Sequence, residues 1–186
     1  MAFSAHEGKE FFKDWLTNFA APLQFKRVLD IGCGAGWYGK ILRDVFKSGI
    51  TIDAVEIFSA YIDRHSLRAI YDQIIVNDIM SIYKNLPNYD LIIMGDVLEH
   101  LPKPQAIELV KGVRGKSRFL WCALPLIVEG KAWSTGYRQG PEDFTENPAN
   151  KHWHDWTLEE VKKEFDPLWV VPYIQTGMFL VEGDIR

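Results

Sequence analysis

Cysteine is scarce in this chain. Cys33 and Cys122 are the only two in 186 residues, and neither belongs to a Cys-x-x-Cys pair. That excludes a disulfide framework and a cysteine zinc centre, and it fits a reducing, cytoplasmic setting. Basic runs are missing as well. The net charge is −4, and no Lys/Arg cluster reaches the density of a nucleic-acid footprint, so a duplex substrate is disfavoured. No apolar run approaches the ~20 residues of a membrane helix, and the first residues carry no signal-peptide core, so no membrane role is expected. Internal repeats and low-complexity tracts are absent.

What is present is an ordinary globular composition. A hydrophobic fraction of 47% makes a packed core the expectation, and 186 residues fit one domain spanning residues 1–186. Phe12, Trp15, Leu16 and Phe19 recur at helical spacing, which predicts an amphipathic helix over about Phe3–Phe19, within an N-terminal segment 1–24. Over residues 25–124, short apolar runs alternate with helical patterns. The runs are Val28–Ile31, Ile50–Val55, Ile74–Val76, Leu91–Met94 and Phe119–Leu124. Runs that are apolar at consecutive positions suit strands covered on both faces, hence a parallel sheet between helices.

The alternation stops at Pro125. Residues 125–156 are rich in Gly, Pro, Asn and aromatics, and a connector of that length suits a lid on the acceptor side. Trp133, Tyr137, Phe144, Trp153 and Trp156 could line an acceptor pocket or form a satellite core. In residues 157–186, Thr157 followed by Glu160 predicts a capping box. Trp169–Tyr173 and Met178–Glu182 then predict a hairpin through Gln175-Thr176-Gly177. The expected fold class is α/β: a Rossmann-like three-layer sandwich with a seven-stranded, mostly parallel sheet whose last strand is antiparallel.

The most informative stretch runs Val28-Leu-Asp30-Ile-Gly32-Cys-Gly34-Ala-Gly36-Trp-Tyr-Gly39, a strand entering a helix through glycines. Glycine permits positive φ and lets the backbone come close to a ligand. Gly34-x-Gly36-x-x-Gly39 alone also satisfies a dinucleotide fingerprint. Glu56 ends the next strand twenty positions after Gly36, where a carboxylate can accept both hydroxyls of a ribose. NAD-binding proteins place an acid there too, so Glu56 leaves the nucleotide open. Asp53, on the same strand, reads as structural.

Asp30 ahead of Gly32-x-Gly34-x-Gly36 resembles the first motif of the class I S-adenosylmethionine-dependent methyltransferases. The fourth apolar run enters Asp96-Val97-Leu-Glu99-His100-Leu101, which looks like the fourth motif of small-molecule members such as those of quinone biosynthesis. Dehydrogenase folds do not usually carry it. The Asp-Pro-Pro-Tyr and Pro-Cys motifs of DNA methyltransferases are absent. The resemblance covers about Val28 to Leu124. It implies S-adenosylmethionine as cofactor, with Asp30 near its ammonium, directly or through water, and room at Gly32, Gly34 and Gly36 for the methionyl and ribose parts. Asp78 and Ile79 would face the adenine, and Ile57, Asp96 and Val97 complete the cofactor set.

A methyl on a sulfonium is already activated, so positioning the acceptor can supply most of the rate. Where the acceptor must lose a proton, His100 is the candidate base. His152, His154 and Asp155 offer no third spaced ligand, and no metal centre is expected. The expected partner is a small-molecule acceptor. A module that binds the nucleoside without catalysis and an NAD-dependent oxidoreductase are the rival readings.

Overall fold

The computed structural model describes residues 8–127, 147–173 and 176–185. In chain order its strands are β1 (Arg27–Ile31), β2 (Thr51–Glu56), β3 (Gln73–Val76), β4 (Tyr89–Gly95), β5 (Ser117–Leu124), β6 (Leu126–Ile127), β7 (Trp156–Thr157), β8 (Trp169–Pro172) and β9 (Gly177–Glu182). Its helices are α1 (Lys9–Trp15), α2 (Trp37–Phe46), α3 (Ala60–Arg64), α4 (Ile79–Ile82), α5 (Lys103–Arg114) and α6 (Leu158–Phe165).

Consecutive apolar residues in the strands serve two cores. Leu91 and Ile93 face the layer built by Phe12, Leu42 and Tyr61, from α1, α2 and α3. Ile92 and Met94 face the opposite layer, with Ile79, Leu109 and Phe165 from α4, α5 and α6. The sheet is therefore covered on both sides, as its strand composition requires. Seven strands run in the order β3-β2-β1-β4-β5-β9-β8, with β1 to β5 parallel. β9 is antiparallel to both β5 and β8. The fold is thus the expected Rossmann-like sandwich, and the antiparallel strand lies one place in from the edge.

Element ends differ by a residue or two from the sequence reading. The N-terminal helix holds α-geometry only over Lys9–Trp15 and continues as a π-helical turn, Leu16–Ala20, with Leu16 and Ala20 fully buried. Its expected start at Phe3 lies outside the described residues. The capping box forms: Thr157 Oγ1 accepts from the Glu160 amide at 3.1 Å, and Glu160 Oε2 accepts from the Thr157 amide at 3.0 Å. Asp53 is structural, as expected: it accepts from Arg27 at 2.6 Å and from the Tyr89 hydroxyl at 3.1 Å.

β6 and β7 form a two-residue parallel pair that has no periodic signal in the sequence. It closes the base of the 125–156 connector, so the excursion leaves and returns at neighbouring points. Trp133, Tyr137, Phe144 and the tip of that connector lie outside the described residues. Trp156 is fully buried among core residues, and its ring lies 5.0 Å from Phe165. It is a core residue and not part of an acceptor pocket, because burial in the sheet–helix layer leaves no face for a ligand. Trp153, by contrast, is 57% exposed.

Candidate active site

The C-terminal ends of β3, β2, β1 and β4 lie side by side in the sheet order, so the residues after them form a row. Asp78 follows β3, Glu56 ends β2 and Ile57 follows it, Gly32 to Gly36 follow β1, and Asp96 and Val97 follow β4. Two contacts knit the row together. The Gly34 amide donates to Glu56 Oε2 at 2.9 Å, and a Cβ on Gly32 would lie 2.7 Å from the Val97 Cγ2.

The turn makes specific demands on its glycines. Gly32 (φ +67°), Gly34 (φ +51°) and Gly36 (φ +73°) all occupy the left-handed region. Gly32 is exposed on the row. Gly36 is buried and caps α2, and a Cβ there would sit 2.9 Å from Leu67 and Ile70 side chains. Its side-chain face is thus taken up by packing.

Asp30 is 1% exposed, and its carboxylate accepts from the Tyr71 hydroxyl at 2.5 Å and from the Gly39 amide. A carboxylate so enclosed meets a ligand's ammonium directly only where the turn above it opens. Burial, opposed by the Tyr71 hydroxyl and reinforced by the Glu56 charge, pushes the Asp30 carboxyl up to about 7. Between about pH 4 and pH 7 the folded chain then holds a proton that the unfolded chain releases. This group's stabilising contribution is complete below the unfolded value and is lost as pH rises through about 7. Burial chiefly, with His152 nearby, lowers His100 to about 4, and this acts in the opposite sense over part of that range. The parent's own pH profile therefore does not isolate Asp30; a difference does. The melting temperature of Asp30→Asn relative to the parent should climb from pH 4.5 to pH 7.5. A difference independent of pH would show that Asp30 ionises as an ordinary carboxyl.

Glu56 is 3% exposed, with Oε2 on the Gly34 amide and Oε1 accepting from the Phe58 amide at 2.8 Å. Burial raises its pKa, and the Phe58, Gly34 and Ile57 amides oppose the shift. The sequence marks Glu56 as a strand-end acid for a ribose; in the structure it also braces the glycine turn. Ile57, beside it, is half exposed. Asp78 is exposed and caps α4, accepting from the Met80 amide at 2.9 Å, whereas Ile79 turns into the core at 7% exposure. Ile79 thus packs under the row, because helix α4 turns it towards the sheet. Asp96 holds a left-handed φ of +57° and donates its amide to the Ala123 carbonyl at 2.8 Å.

Several residues at the row's margins carry no motif. Lys9 is 7% exposed, close enough to Asp96 to feel its charge, with its ammonium 5.8 Å from the Tyr38 ring. Burial lowers its pKa and Asp96 opposes the shift. Helical spacing identified the helix but gave no reason to place one of its lysines at a strand end. Tyr38 lies over Gly95 and Tyr71 over Gly39. Glu99 is 2% exposed, and burial with the nearby Asp96 charge raises its pKa well above normal.

The histidines are sorted differently from the sequence expectation. His154 Nε2 lies 3.2 Å from Glu160 Oε2. His152 instead meets His100, ring centroids 4.9 Å apart, and one ligand atom each from Glu99, His100 and His152 fall within 4.8 Å of one another.

A family model described as a methyltransferase domain matches residues 4–110, more than half of the chain. The chain belongs to that methyltransferase family. The match takes in the glycine turn, Glu56, Asp78 and the strand-four motif. Among curated relatives, a ubiquinone biosynthesis O-methyltransferase of Coxiella burnetii is 33% identical over 87 residues, 45% of this chain and 36% of that protein. Its counterpart in Bordetella avium is 26% identical over 98 residues, 50% of this chain and 40% of that protein. The matches therefore span well under half the length of these relatives. Among solved structures, magnesium protoporphyrin IX methyltransferase from Synechocystis PCC 6803, with bound SAH, superposes at a TM-score of 0.68 with 15% identity, covering 96% of this chain and 83% of that one. A SAM-dependent methyltransferase from Archaeoglobus fulgidus gives 0.60 with 17% identity and covers 94% of each chain. At these identities the superpositions establish a methyltransferase fold. No helix among the described residues is long and apolar enough to cross a membrane.

Proposed function

We propose that this chain binds S-adenosylmethionine along the row from Asp78 to Asp96 and transfers its methyl group to a small-molecule acceptor. The observation that carries the reading is the bond from the Gly34 amide to Glu56, which joins the glycine turn to the one buried acid at the adjacent strand end. The Gly34, Phe58 and Ile57 amides and the Cys33 thiol orient the Glu56 carboxylate at the strand end, where a ribose's hydroxyls would meet it. Asp78 stands at the outer end of the row for the adenine, and Ile57 offers an exposed apolar face beside it. Asp30 acts at one remove, by fixing Tyr71 and Gly39 beneath the turn. The acids suit a ligand that is a cation with hydroxyls, and the strand-four motif Asp96-Val97-Leu98-Glu99-His100-Leu101 speaks against NAD. The two buried free thiols support a reducing, cytoplasmic setting.

The bound cofactor supplies an electrophilic methyl on a positively charged sulfur. What remains for the chain is to present the acceptor in line and to keep water out. α1 contributes to that enclosure: Gly8 abuts Met178 at the start of β9, and Lys9 reaches the end of β4. His100 is a poor base for this task. With its pKa held down to about 4, taking a proton from a phenol-like hydroxyl near 10 would be uphill by about 8 kcal/mol. An acceptor that is already nucleophilic, or one acidified by another group, fits the site better.

Calorimetry with S-adenosylhomocysteine and with NAD tests the ligand. Saturable binding of the former at micromolar levels, with none of the latter, is expected. Incubation of the chain with cofactor and metabolite extracts should then yield products one methyl heavier. Binding without any such product would favour the non-catalytic reading.

A further inference from the structure

Past Asp96, the chain enters the turn Leu98–His100, and the segment after Pro148–Asn150 lies against it. Hydrogen bonds hold the segments together, one of them from His100 to the Asn150 backbone. The Trp153 amide donates to the Glu99 carbonyl at 2.8 Å, and His100 Nδ1 lies 3.3 Å from the Lys151 carbonyl. A carbonyl can only accept, so in the tautomer that donates from Nδ1 to Lys151 the lone pair of His100 is on Nε2. Metal-bound histidines are commonly fixed in this way, with the second ring nitrogen anchored to a carbonyl.

We infer that Glu99, His100 and His152 form a binding site for a divalent first-row transition ion of the Zn2+ type. Two observations carry this independently. One is the convergence of a carboxylate and two imidazoles within 4.8 Å on two segments far apart in sequence. The other is Glu99 Oε2, fully buried and without a hydrogen-bond partner among the described residues. Buried carboxylate oxygens are nearly always satisfied, and an orphan beside two imidazoles is what a site for a cation leaves. Ligand atoms around a bound Zn2+ lie about 2.0–2.2 Å from it, so side-chain shifts of about an ångström close the triangle.

The donor set selects the ion. Two imidazoles with one carboxylate suit Zn2+ and its neighbours, whereas Mg2+ and Ca2+ prefer all-oxygen shells. Three protein donors leave at least one position open. Asp96 lies near enough to Glu99 to feel its charge, so the site adjoins the end of β4. The sequence hides the site because its second histidine lies 52 residues after the first and was paired by proximity with His154. His154 belongs to Glu160 instead.

The test uses the tag-free chain, stripped with a chelator and titrated with Zn2+ against a chromophoric competitor, and with Co2+ read by its visible absorption. One ion per chain is expected. Glu99→Gln, which keeps the side chain's shape, and His152→Ala should each weaken Zn2+ binding by roughly 100-fold or more, since even outer contacts to a metal are worth 10–100-fold. His154→Ala should leave it within about threefold. Circular dichroism checks each fold; should Glu99→Gln not fold, His152→Ala decides. Absence of stoichiometric binding overturns the proposal, and so does Zn2+ affinity that survives in a folded His152→Ala chain. Neither readout depends on methyl transfer, so the metal site can fail while the proposed function stands.

Discussion

Replacing Trp121 with alanine should destabilise the chain by about 3–5 kcal/mol, the largest loss expected of any single truncation in this molecule. Trp121 lies in the middle of β5 and is fully buried, in a cluster whose other members come from opposite ends of the chain. Its ring centroid lies 4.7 Å from Phe12, 5.2 Å from Trp15 and 5.3 Å from Trp169. Phe12 and Trp15 are the buried face of α1, so the indole is what α1 docks on. Alanine leaves a cavity that three rings cannot fill without moving the helix. Urea unfolding should show the loss as a lower midpoint, and proteolysis under native conditions should open first near residues 8–20. Trp121→Phe should recover much of the difference, because it restores ring contact. A Trp121→Ala chain within about 1 kcal/mol of the parent would mean that α1 is held by something else. The consequence reaches the active site, since a loosened α1 withdraws Lys9 from the end of β4.

How far the sequence discloses this molecule can be judged at particular residues. The strands were legible because both faces of β1 and β4 are covered, which forces the consecutive apolar runs of Val28–Ile31 and Leu91–Met94. The hairpin β8–β9 was legible from its turn residues. Glycine positions were legible, but their duties were not: Gly32, Gly34 and Gly36 look alike in the sequence, and only packing shows that Gly36 is filled by Leu67 and Ile70. Asp30 and Glu56 stand out in the sequence through the glycine turn between them, but their burial does not. A residue at a strand's C-terminal end reads as solvated unless the neighbouring turn folds over it, and that is a tertiary fact. The bond between β6 and β7 involves four residues and carries no period at all. Lys9, Glu99 and His152 escaped for the same reason as each other: each earns its place from a partner distant in the chain.

The second large effect is expected at Glu56, and the choice of substitution decides what it teaches. If the carboxylate only met a ribose, Glu56→Gln would fold as well as the parent and lose affinity alone. The structure demands more of it. Its two oxygens accept from the Gly34 and Phe58 amides on opposite sides, with Ile57 contributing as well. Glutamine has a single acceptor, so one of those amides would face an NH2 group, donor against donor. A buried donor left unpaired costs about 1–3 kcal/mol, so the ligand-free Glu56→Gln chain should melt measurably lower than the parent. Glu56→Ala loses both acceptors, although water entering the space can recover part of that. On the ligand side, both variants should weaken S-adenosylhomocysteine binding by about 100-fold or more, equivalent to about 2.7 kcal/mol. Loss of the ribose bonds and loosening of the Gly34 turn act together there. Calorimetry on chains first shown to be folded separates the two contributions: the melting difference without ligand reports the brace, and the excess loss of affinity reports the contact. An unchanged ligand-free melting temperature in Glu56→Gln would remove the brace from the account. Unchanged affinity in the same variant would remove Glu56 from the cofactor site, and the proposed row along the strand ends would lose its central acid.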